Sequence, residues 1–308
     1  MKIIFFGNTT FGLPTLDKLN DSNHDILSIV TNKDIHRTKN KLIQTPIKQW
    51  SGNSNINLIQ QDNLNCSDFI NRLKEFNADL FVVIAYKILP KAIFTLPKYG
   101  TMNLHASLLP KYRGAAPIQR SILNGDKKTG VSTFIIDASV DTGNIVMQES
   151  VNIRDENYGQ LHDRLSFIGS DLVISSIKHI KDNLHTEIQP SCSTYAPKIK
   201  KSETQIKWDQ ESKYIILSIR AFSPSPGAFT YLKSKRVRIF EATFIQNNQE
   251  SLSPGVIKII NKEIIVGTLD VPIKILKVQI EGRGVVDSKS FINGYLNSKG
   301  YNYIFETR

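Results

Sequence analysis

Three polar residues, Asn103, His105 and Asp141, have the types and spacing that acyl-transfer chemistry needs. Asn103 and His105 are two positions apart, which puts both side chains on one face of a β-strand. Asp141 follows a second apolar stretch that ends at Ile136. A carboxylate beside a histidine orients the ring and favours its charged form, and an amide can donate a hydrogen bond to a developing oxyanion. These three residues on neighbouring strand ends could therefore polarise a carbonyl and stabilise the oxyanion of acyl transfer.

A stiff loop follows the strand that carries Asn103 and His105. It runs from Ser107 to Pro117 as SLLPKYRGAAP, and its two prolines each fix φ and remove a backbone donor. Open α/β sheets bind their ligands outside the carboxyl ends of their strands. Each residue alone also fits a structural role, since a single histidine is often only hydrogen-bonded in place and asparagine often forms turns. The addition of the Asp141 loop makes a functional site the stronger interpretation.

The motif that carries these residues is long and contiguous. NLHASLLPKYRGAAPIQR, from Asn103 to Arg120, followed by DTG at Asp141 to Gly143, resembles the folate-dependent formyltransferases, and among them those that act on methionyl-tRNA. That family shows the pattern N-x-H-x-S-L-L-P-x-x-x-G-x-x-P and then D-x-G. The resemblance implies an enzyme, a one-carbon transferase that moves a formyl group from 10-formyltetrahydrofolate to the α-amine of methionine on initiator tRNA for translation initiation, without a metal.

The same resemblance assigns roles to individual residues. It implies that Asn103, His105 and Asp141 are catalytic. It also implies a loop that binds the formyl-folate co-substrate, made of Ser107, Leu108, Leu109 and Pro110. In the mechanism that we expect, Asn103 and protonated His105 hydrogen-bond the oxyanion. Asp141 holds the imidazolium in place and helps to move the amine proton through water.

Elements before and after the motif predict an α/β domain. An apolar run at Met1 to Phe6 suits a buried strand, and the turn that follows lacks the residues of an ATP or NAD loop. The strands that we expect next are Asp25 to Thr31 and Asp79 to Ala85, then a hairpin of Val131 to Ile136 with Asn144 to Ile153. A helix is expected at 68–76 and a long closing helix at 158–180. Together these elements predict a Rossmann-like domain with a mostly parallel sheet.

Two segments of this domain depart from the family pattern. Residues 32–48 are predicted to be a polar, basic loop. The family's loop at this place contacts the acceptor end of the tRNA, which implies the same role for Arg37, Lys39 and Lys41. This chain lacks the glycine-rich core of that loop. The turn at Tyr86 and Lys87 also lacks the family's glycine and is one residue shorter, at a place where the family approaches the pterin ring.

The last third of the chain predicts a second domain of a different class. Prolines at 190 and 197 and a lysine cluster mark residues 190–207 as a linker. After a helix at 211–222, short apolar runs separated by Gly, Pro and Asn predict a small barrel. We therefore expect a catalytic domain at 1–189 and an OB-like, all-β, tRNA-binding domain at 208–308. Basic residues cluster on one predicted hairpin: Lys233, Lys235, Arg236 and Arg238.

Charge and composition are consistent with two domains and a polyanionic partner. The 308 residues carry a formal net charge of +11. Residues 191–308 hold 18 Lys and Arg against 10 Asp and Glu, so about +8 of the charge lies there. Two cysteines, Cys66 and Cys192, predict neither a disulfide scaffold nor a zinc site. No apolar run approaches the roughly 20 residues of a membrane helix. We expect a cytoplasmic monomer.

Three other functions share parts of the sequence pattern. A formyltransferase acting on another amine, such as an amino-sugar nucleotide, would have the central motif without a reason for the basic domain. A folate-dependent hydrolase would use water as the acceptor and turn over without tRNA. A non-catalytic RNA-binding protein on a degenerate transferase scaffold would retain the basic domain, although the chain keeps all three catalytic candidates.

Overall fold

A computed structural model describes residues 1–38, 41–245, 252–296 and 303–307, with the backbone only at 36–38 and 41. The chain divides into two compact units. The N-terminal unit comprises Met1–Pro117, Lys128–Asn152 and His162–Ala196. The C-terminal unit comprises Ile118–Lys127, Ile153–Leu161 and Pro197–Arg308.

A seven-stranded sheet forms the centre of the N-terminal unit. Its strands are β1 (Lys2–Gly7), β2 (Asp25–Thr31), β5 (Leu58–Gln60), β6 (Leu80–Ile84), β7 (Thr101–His105), β8 (Lys128–Ile135) and β9 (Ile145–Asn152). Their order is β5-β2-β1-β6-β7-β8-β9. The first five strands in this order are parallel, whereas β8 and β9 add an antiparallel hairpin. The predicted mostly parallel sheet and its antiparallel hairpin are both confirmed.

The parallel strands are apolar on both faces, so helices of the N-terminal unit pack against them. The helices in chain order are α1 (Leu13–Asn20), α2 (Pro46–Ser51), α3 (Ser67–Glu75), α4 (Lys91–Phe94), α5 (Pro117–Leu123), α6 (Tyr158–Lys181), α7 (Ser212–Phe222) and α8 (Ser288–Tyr295). Of these, α7, α8 and almost all of α5 belong to the C-terminal unit. Ile4 and Phe6 of β1 pack in one cluster with Phe69 and Leu73 of α3. Such alternate burial on two faces explains why β1 is an uninterrupted apolar run in the sequence.

The long helix α6 covers the face of β7 that is opposite the catalytic candidates. At Gly169 of α6, an added Cβ would lie 2.7 Å from a methyl group of Leu104. Leu104 stands between Asn103 and His105 in β7, so its side chain points to the other face of the sheet. The close approach of helix and strand at this glycine therefore fixes β7 from behind and leaves the face with Asn103 and His105 to the site.

The prediction of a loop at 32–48 was wrong. The segment forms β3 (Ile35–Thr38) and β4 (Lys41–Ile43), which pair antiparallel, and it ends in the first turn of α2. Thr45 caps α2, because its hydroxyl accepts a hydrogen bond from the Lys48 amide at 3.1 Å, and Pro46 follows at the first helical position. A threonine followed by proline is a sequence signature of a helix start. The density of charged and polar residues around it concealed that signature.

The C-terminal unit contains an antiparallel sheet that is nearly closed. Its strands are β10 (Ala228–Leu232), β11 (Lys235–Phe244), β12 (Val256–Ile260), β13 (Glu263–Val266), β14 (Ile273–Ile280), β15 (Val286–Asp287) and β16 (Tyr303–Ile304). The order is β10-β11-β14-β13-β12-β16, with β15 beside β14. The short strands that the sequence predicts for a small barrel are present. The fold class, a parallel-rich α/β sheet followed by a small barrel-like sheet, is confirmed.

Residues near the C-terminus close the barrel, which the sequence did not predict. Phe305 donates its amide to the carbonyl of Gly255, just before β12. Glu306 exchanges two backbone hydrogen bonds with Tyr231 of β10, at 2.8 and 3.1 Å. The segment therefore joins the two edges of the sheet, and the ring of Phe305 stacks on Trp208 at a centroid distance of 5.5 Å. Closure removes exposed strand edges.

None of the helices among the described residues is both long enough and apolar enough to cross a membrane.

Candidate active site

Asn103 and His105 lie at the carboxyl end of β7, on the same face of the sheet. Asn103 is half-buried, and its side-chain amide has no hydrogen-bond partner among the described residues. His105 is buried, with 6 % of its surface exposed. A partly enclosed amide with unused donors can bind a ligand atom without first breaking an internal hydrogen bond. The spacing of two in the sequence thus placed both residues correctly.

Both ring nitrogens of His105 face protein groups. Nε2 lies 2.8 Å from the carbonyl oxygen of Tyr112. Since a carbonyl only accepts, Nε2 carries a proton and donates it. Nδ1 lies 3.7 Å from Oδ2 of Asp141, too far for a hydrogen bond but close enough for a favourable interaction when the ring is charged. A hydrogen bond from this ring to a substrate oxygen would require one of these two arrangements to change.

Asp141 reaches His105 on a loop, not at a neighbouring strand end. In the antiparallel pair, Ile135 at the end of β8 lies beside Met102, whereas His105 lies beside Ser132. The carboxyl ends of β7 and β8 therefore lie at opposite ends of this antiparallel strand pair. The loop between β8 and β9 carries Asp141, which has φ of 56°, back to the site. There its Oδ2 accepts a hydrogen bond from the Gly114 amide at 2.8 Å.

The predicted folate loop is held in shape by its own polar groups. The Ser107 hydroxyl donates to the carbonyl of Lys111 at 2.6 Å, so this fully buried side chain closes a turn. Leu109 is buried and is followed by a cis peptide bond to Pro110, whereas Leu108 and Pro110 are half-buried. The four residues thus form one compact corner directly after the strand that carries Asn103 and His105.

Two residues that the sequence reasoning missed fasten this corner to the sheet. The hydroxyl of Ser132 donates to the Ser107 carbonyl at 2.6 Å and accepts from the Leu109 amide at 3.0 Å. Gln148 donates to the same hydroxyl at 2.7 Å and to the Leu109 carbonyl at 2.9 Å. Ser132 and Gln148 are direct partners across β8 and β9.

The turn after β6, at Tyr86 and Lys87, is fastened to the loop that follows β5. The Tyr86 hydroxyl donates to the Gln61 carbonyl at 3.2 Å, and the ring packs edge-on against Phe6. Burial, with a smaller effect of the Asp62 charge, raises the pKa of Tyr86 to about 12. Lys87 binds both the carboxylate and the carbonyl of Asp62 at 3.1 Å, and its hydrogen bond lowers the pKa of that carboxyl.

The residues assigned to tRNA binding are described only in part. Lys39 lies outside the described residues, and for Arg37 in β3 and Lys41 in β4 the structure gives the backbone alone. The base of this hairpin is well defined, because Lys48 binds Asp34 at 2.6 Å and Gln60 at 3.1 Å. On the barrel, the guanidinium of Arg236 lies 3.9 Å from the centre of the Phe229 ring.

The site can stabilise a developing negative charge and accept a proton. Asn103 supplies an unused donor, and Asp141 supplies a carboxylate beside the His105 ring. Across the described ranges, no group of three or more His, Cys, Asp or Glu residues could hold a metal ion. The chemistry of this donor set is hydrogen bonding and proton transfer.

The chain matches two family models, one after the other. Residues 1–177 match the model described as formyl transferase, and residues 198–296 match the formyl transferase C-terminal domain. The methionyl-tRNA formyltransferase of Thermodesulfovibrio yellowstonii is 39 % identical over 302 residues, covering 97 % of each chain. That of Pelotomaculum thermopropionicum is 35 % identical over 299 residues, covering 96 % of each chain.

A solved structure has the same fold. The methionyl-tRNA formyltransferase from Clostridium thermocellum superimposes with a TM-score of 0.58 at 20 % identity, covering 80 % of this chain and 95 % of that one. The region that matches the first family model includes Asn103, His105 and Asp141.

Proposed function

Because the chain belongs to the formyl transferase family over almost its whole length, we propose that it transfers a formyl group from 10-formyltetrahydrofolate to the α-amine of methionine on initiator tRNA. Relatives bearing the name methionyl-tRNA formyltransferase align with nearly all of it at 35–39 % identity. The observation that carries the proposal is that the two family models match one after the other along the chain. The catalytic motif and the C-terminal domain therefore occur together.

Asn103 is the group that we assign to stabilising the transition state. Negative charge develops on the formyl oxygen as the amine attacks, and a donor placed in advance lowers the energy of that charge. The Asn103 amide is half-buried at the strand end and makes no hydrogen bond with other described residues. It therefore needs no rearrangement before it donates.

Asp141 and His105 act together to accept the proton that the attacking amine loses. The Asp141 carboxylate keeps one oxygen on the Gly114 amide and faces Nδ1 of His105 with the same atom. An attacking amine must lose a proton, and this carboxylate can receive it through water. Nε2–H of His105 donates to the Tyr112 carbonyl. The contribution of His105 is therefore the charge and the fixed position of its ring beside the carboxylate.

We assign the corner after β7 to binding of the formyl donor. Folate supplies an activated formyl group, and Ser107 to Pro110 are the residues that would hold it. Their geometry is fixed by Ser132 and Gln148, so the half-buried Leu108 and Pro110 would present a defined apolar surface to the ligand. Apolar walls with a few placed donors are typical of sites for aromatic ligands such as a pterin.

The tRNA would contact both predicted domains, the catalytic domain at 1–189 and the barrel domain at 208–308, with 190–207 as the linker. Arg37 and Lys41 belong to β3 and β4, a hairpin whose base is held by the ion pair of Lys48 and Asp34, and Lys39 falls between them in the sequence. The barrel adds the basic residues of β11 and its turn. Cations on a firmly anchored hairpin suit a nucleic-acid backbone. An enzyme of translation initiation works where proteins are made, so we place it in the cytoplasm, as a monomer.

The deciding experiment measures transfer of radiolabelled formyl from 10-formyltetrahydrofolate to methionyl initiator tRNA. Methionyl elongator tRNA, free methionine and an amino-sugar nucleotide serve as alternative acceptors. Label on the initiator alone is the expected result. Label on the sugar nucleotide, or release of formate without any acceptor, would contradict the proposal and identify the acceptor class instead.

A further inference from the structure

A buried arginine of the central motif has an unusual partner. Arg113 is 9 % exposed, and its guanidinium donates from Nε and Nη2 to Oε1 of Gln189 at 3.1 and 2.6 Å. Within the part of the chain that the structure describes, no carboxylate lies within ion-pair distance of this guanidinium. A buried cation usually has an acidic partner, because an unpaired charge is costly to remove from water. Here a neutral amide takes that place.

Gln189 passes this interaction on to the Asp141 loop. Its Nε2 donates to the carbonyls of Asp141 and Gly143, at 3.0 and 2.8 Å. The amide thus uses two acceptor positions and two donor positions, which is its full capacity. Its orientation is unambiguous, since a guanidinium only donates and a carbonyl only accepts. Gln189 is also 9 % exposed, so all four bonds lie away from bulk water.

These two carbonyls, of Asp141 itself and of Gly143, belong to the loop that sets the position of the Asp141 carboxylate. Asp141 has φ of 56°, in the left-handed region, and at Gly143 an added Cβ would lie 1.7 Å from the Ile135 carbonyl oxygen. Both features make this backbone path sterically demanding. Gly114, the neighbour of Arg113, meanwhile holds the Asp141 side chain. Arg113 is therefore connected to Asp141 on its backbone side through Gln189 and on its carboxylate side through Gly114.

We propose that Gln189, set by Arg113, is a positioning residue that holds the Asp141 loop in its reactive shape. This inference rests on the proposed function and extends it to a residue outside the family motif. Gln189 does not touch the reacting atoms. It fixes the carbonyls on either side of Thr142, and through them the distance between the Asp141 carboxylate and His105. A displacement of about 1 Å at such a carboxylate can lower the rate on the order of 10²-fold.

Two substitutions at Gln189 separate the clamp from the neutralisation of Arg113. Gln189→Glu gives Arg113 a charged acceptor, a stronger partner than the amide. It also replaces the Nε2 donor with a carboxylate oxygen, which repels the two loop carbonyls. Gln189→Leu removes all four hydrogen bonds at similar volume. Gln210→Glu is the matched control, because this exposed glutamine, whose side chain makes no hydrogen bond among the described residues, undergoes the same charge change.

Hydrogen exchange of the 136–144 segment and steady-state formyl transfer are measured on all four full-length proteins. We expect about tenfold faster exchange in both Gln189 variants, as the loss of two hydrogen bonds implies. We expect kcat to fall about 10–100-fold while KM for the folate stays within about threefold, and Gln210→Glu to match the wild type in both measurements.

The outcomes distinguish this inference from the proposed function. A wild-type protein that formylates no methionyl-tRNA contradicts the proposed function, and the exchange data then still decide whether the clamp exists. If the wild type is active and Gln189→Glu turns over equally fast, Gln189 only serves Arg113 and the inference fails. Unchanged exchange in Gln189→Leu overturns it as well.

Discussion

Nε2 of His105 donates a hydrogen bond to the carbonyl oxygen of Tyr112 at 2.8 Å. Tyr112 is itself fixed, since its amide donates to the Thr194 hydroxyl at 2.9 Å and its φ is 60°. The ring of His105 is therefore oriented by the loop that follows it and not by Asp141. The expected hydrogen bond from a protonated ring to the oxyanion remains a prediction, and this geometry favours Asn103 as the principal donor.

Asn103→Ala tests that assignment directly. The Asn103 amide makes no internal hydrogen bond among the described residues, so its removal should change Tm little while the rate of formyl transfer falls about 10²–10³-fold. Single-turnover transfer and thermal unfolding measure the two effects. Asn103→Asp, which keeps the size but replaces the donor with acceptors, should be at least as inactive. A variant without the amide that turned over normally would remove Asn103 from the mechanism.

Asp141→Asn separates the charge of this residue from its structural role. The asparagine oxygen can still accept the hydrogen bond from the Gly114 amide at 2.8 Å, so the loop should keep its shape. Loss of a proton acceptor should lower kcat about 10²–10⁴-fold. Asp141→Ala, which also frees Gly114, should in addition speed hydrogen exchange of the loop. Equal rates for Asp141→Asn and the wild type would show that the carboxylate charge is not needed.

The strands and helices around the site could be predicted from the sequence wherever a periodic pattern of apolar residues determined them. The strand at Asp25 to Thr31 and the helix at Tyr158 appear where the sequence pattern put them, because each buries a continuous apolar run or stripe. The route of Asp141 to the site was not predictable. It depends on the antiparallel register of β7 and β8, which moves the end of β8 away from His105. Register is a tertiary property.

Ser132→Ala tests whether the folate corner is shaped by the sheet. Loss of this hydroxyl leaves the Ser107 carbonyl, the Leu109 amide and the Gln148 side chain each short of one buried partner. Such losses cost about 1–3 kcal/mol of unfolding free energy. Folate affinity should fall more than affinity for tRNA, as equilibrium binding of each ligand would reveal. Ser166→Ala, which removes a local hydrogen bond within α6, is the control and should leave folate binding unchanged.

Hydrogen-bonded pairs such as Ser132 with Gln148 and Arg113 with Gln189 could not be predicted from the sequence. Each joins residues that are distant in the chain, and neither member has a distinctive local pattern. The closing segment at 303–306 was missed because two residues of strand carry too little periodicity to be recognised.

Asp270→Asn tests an acid-sensitive cap in the C-terminal unit. Burial would raise the pKa of Asp270, but hydrogen bonds from the backbone amides of Ser212 and Val271 and from the Thr268 and Ser212 hydroxyls outweigh it and lower the pKa to about 2. A carboxyl with a lowered folded-state pKa stabilises the protein above its unfolded pKa near 4. That stability is lost as the pH falls from about 4 to about 2.

The difference in Tm between the wild type and Asp270→Asn, measured across this pH range, isolates the effect. We expect the wild type to be more stable at pH 7 and the difference to shrink steadily below pH 4. The cap lies at the first turn of α7, where Ser212 donates its amide to Asp270 at 2.7 Å. A difference that stayed constant down to pH 2 would mean that the charge of Asp270 does not stabilise this helix.

Removal of the three cations at Arg37, Lys39 and Lys41 tests the segment formed by β3, β4 and the residues between them in the sequence as a tRNA contact. Each contact between a cation and a phosphate releases counterions, so affinity falls with salt by about 0.7–0.9 logarithmic units per contact. The triple alanine variant should bind methionyl initiator tRNA more weakly, and its slope of log K against log salt should decrease by roughly 2. Filter binding from 50 to 300 mM salt (about the range over which such slopes are linear) gives both quantities.

A matched triple variant, with alanine at Lys74, Lys91 and Lys178, removes the same charge from exposed positions on α3, α4 and α6. It should lower the affinity only slightly and leave the slope unchanged, because long-range attraction is screened beyond about 10 Å at 0.1 M salt. Equal slopes for both triple variants would mean that the hairpin contributes only to net charge. The tRNA would then be bound by the basic residues of β11 and its turn, where substitution of Lys235 and Arg238 should produce the change in slope instead.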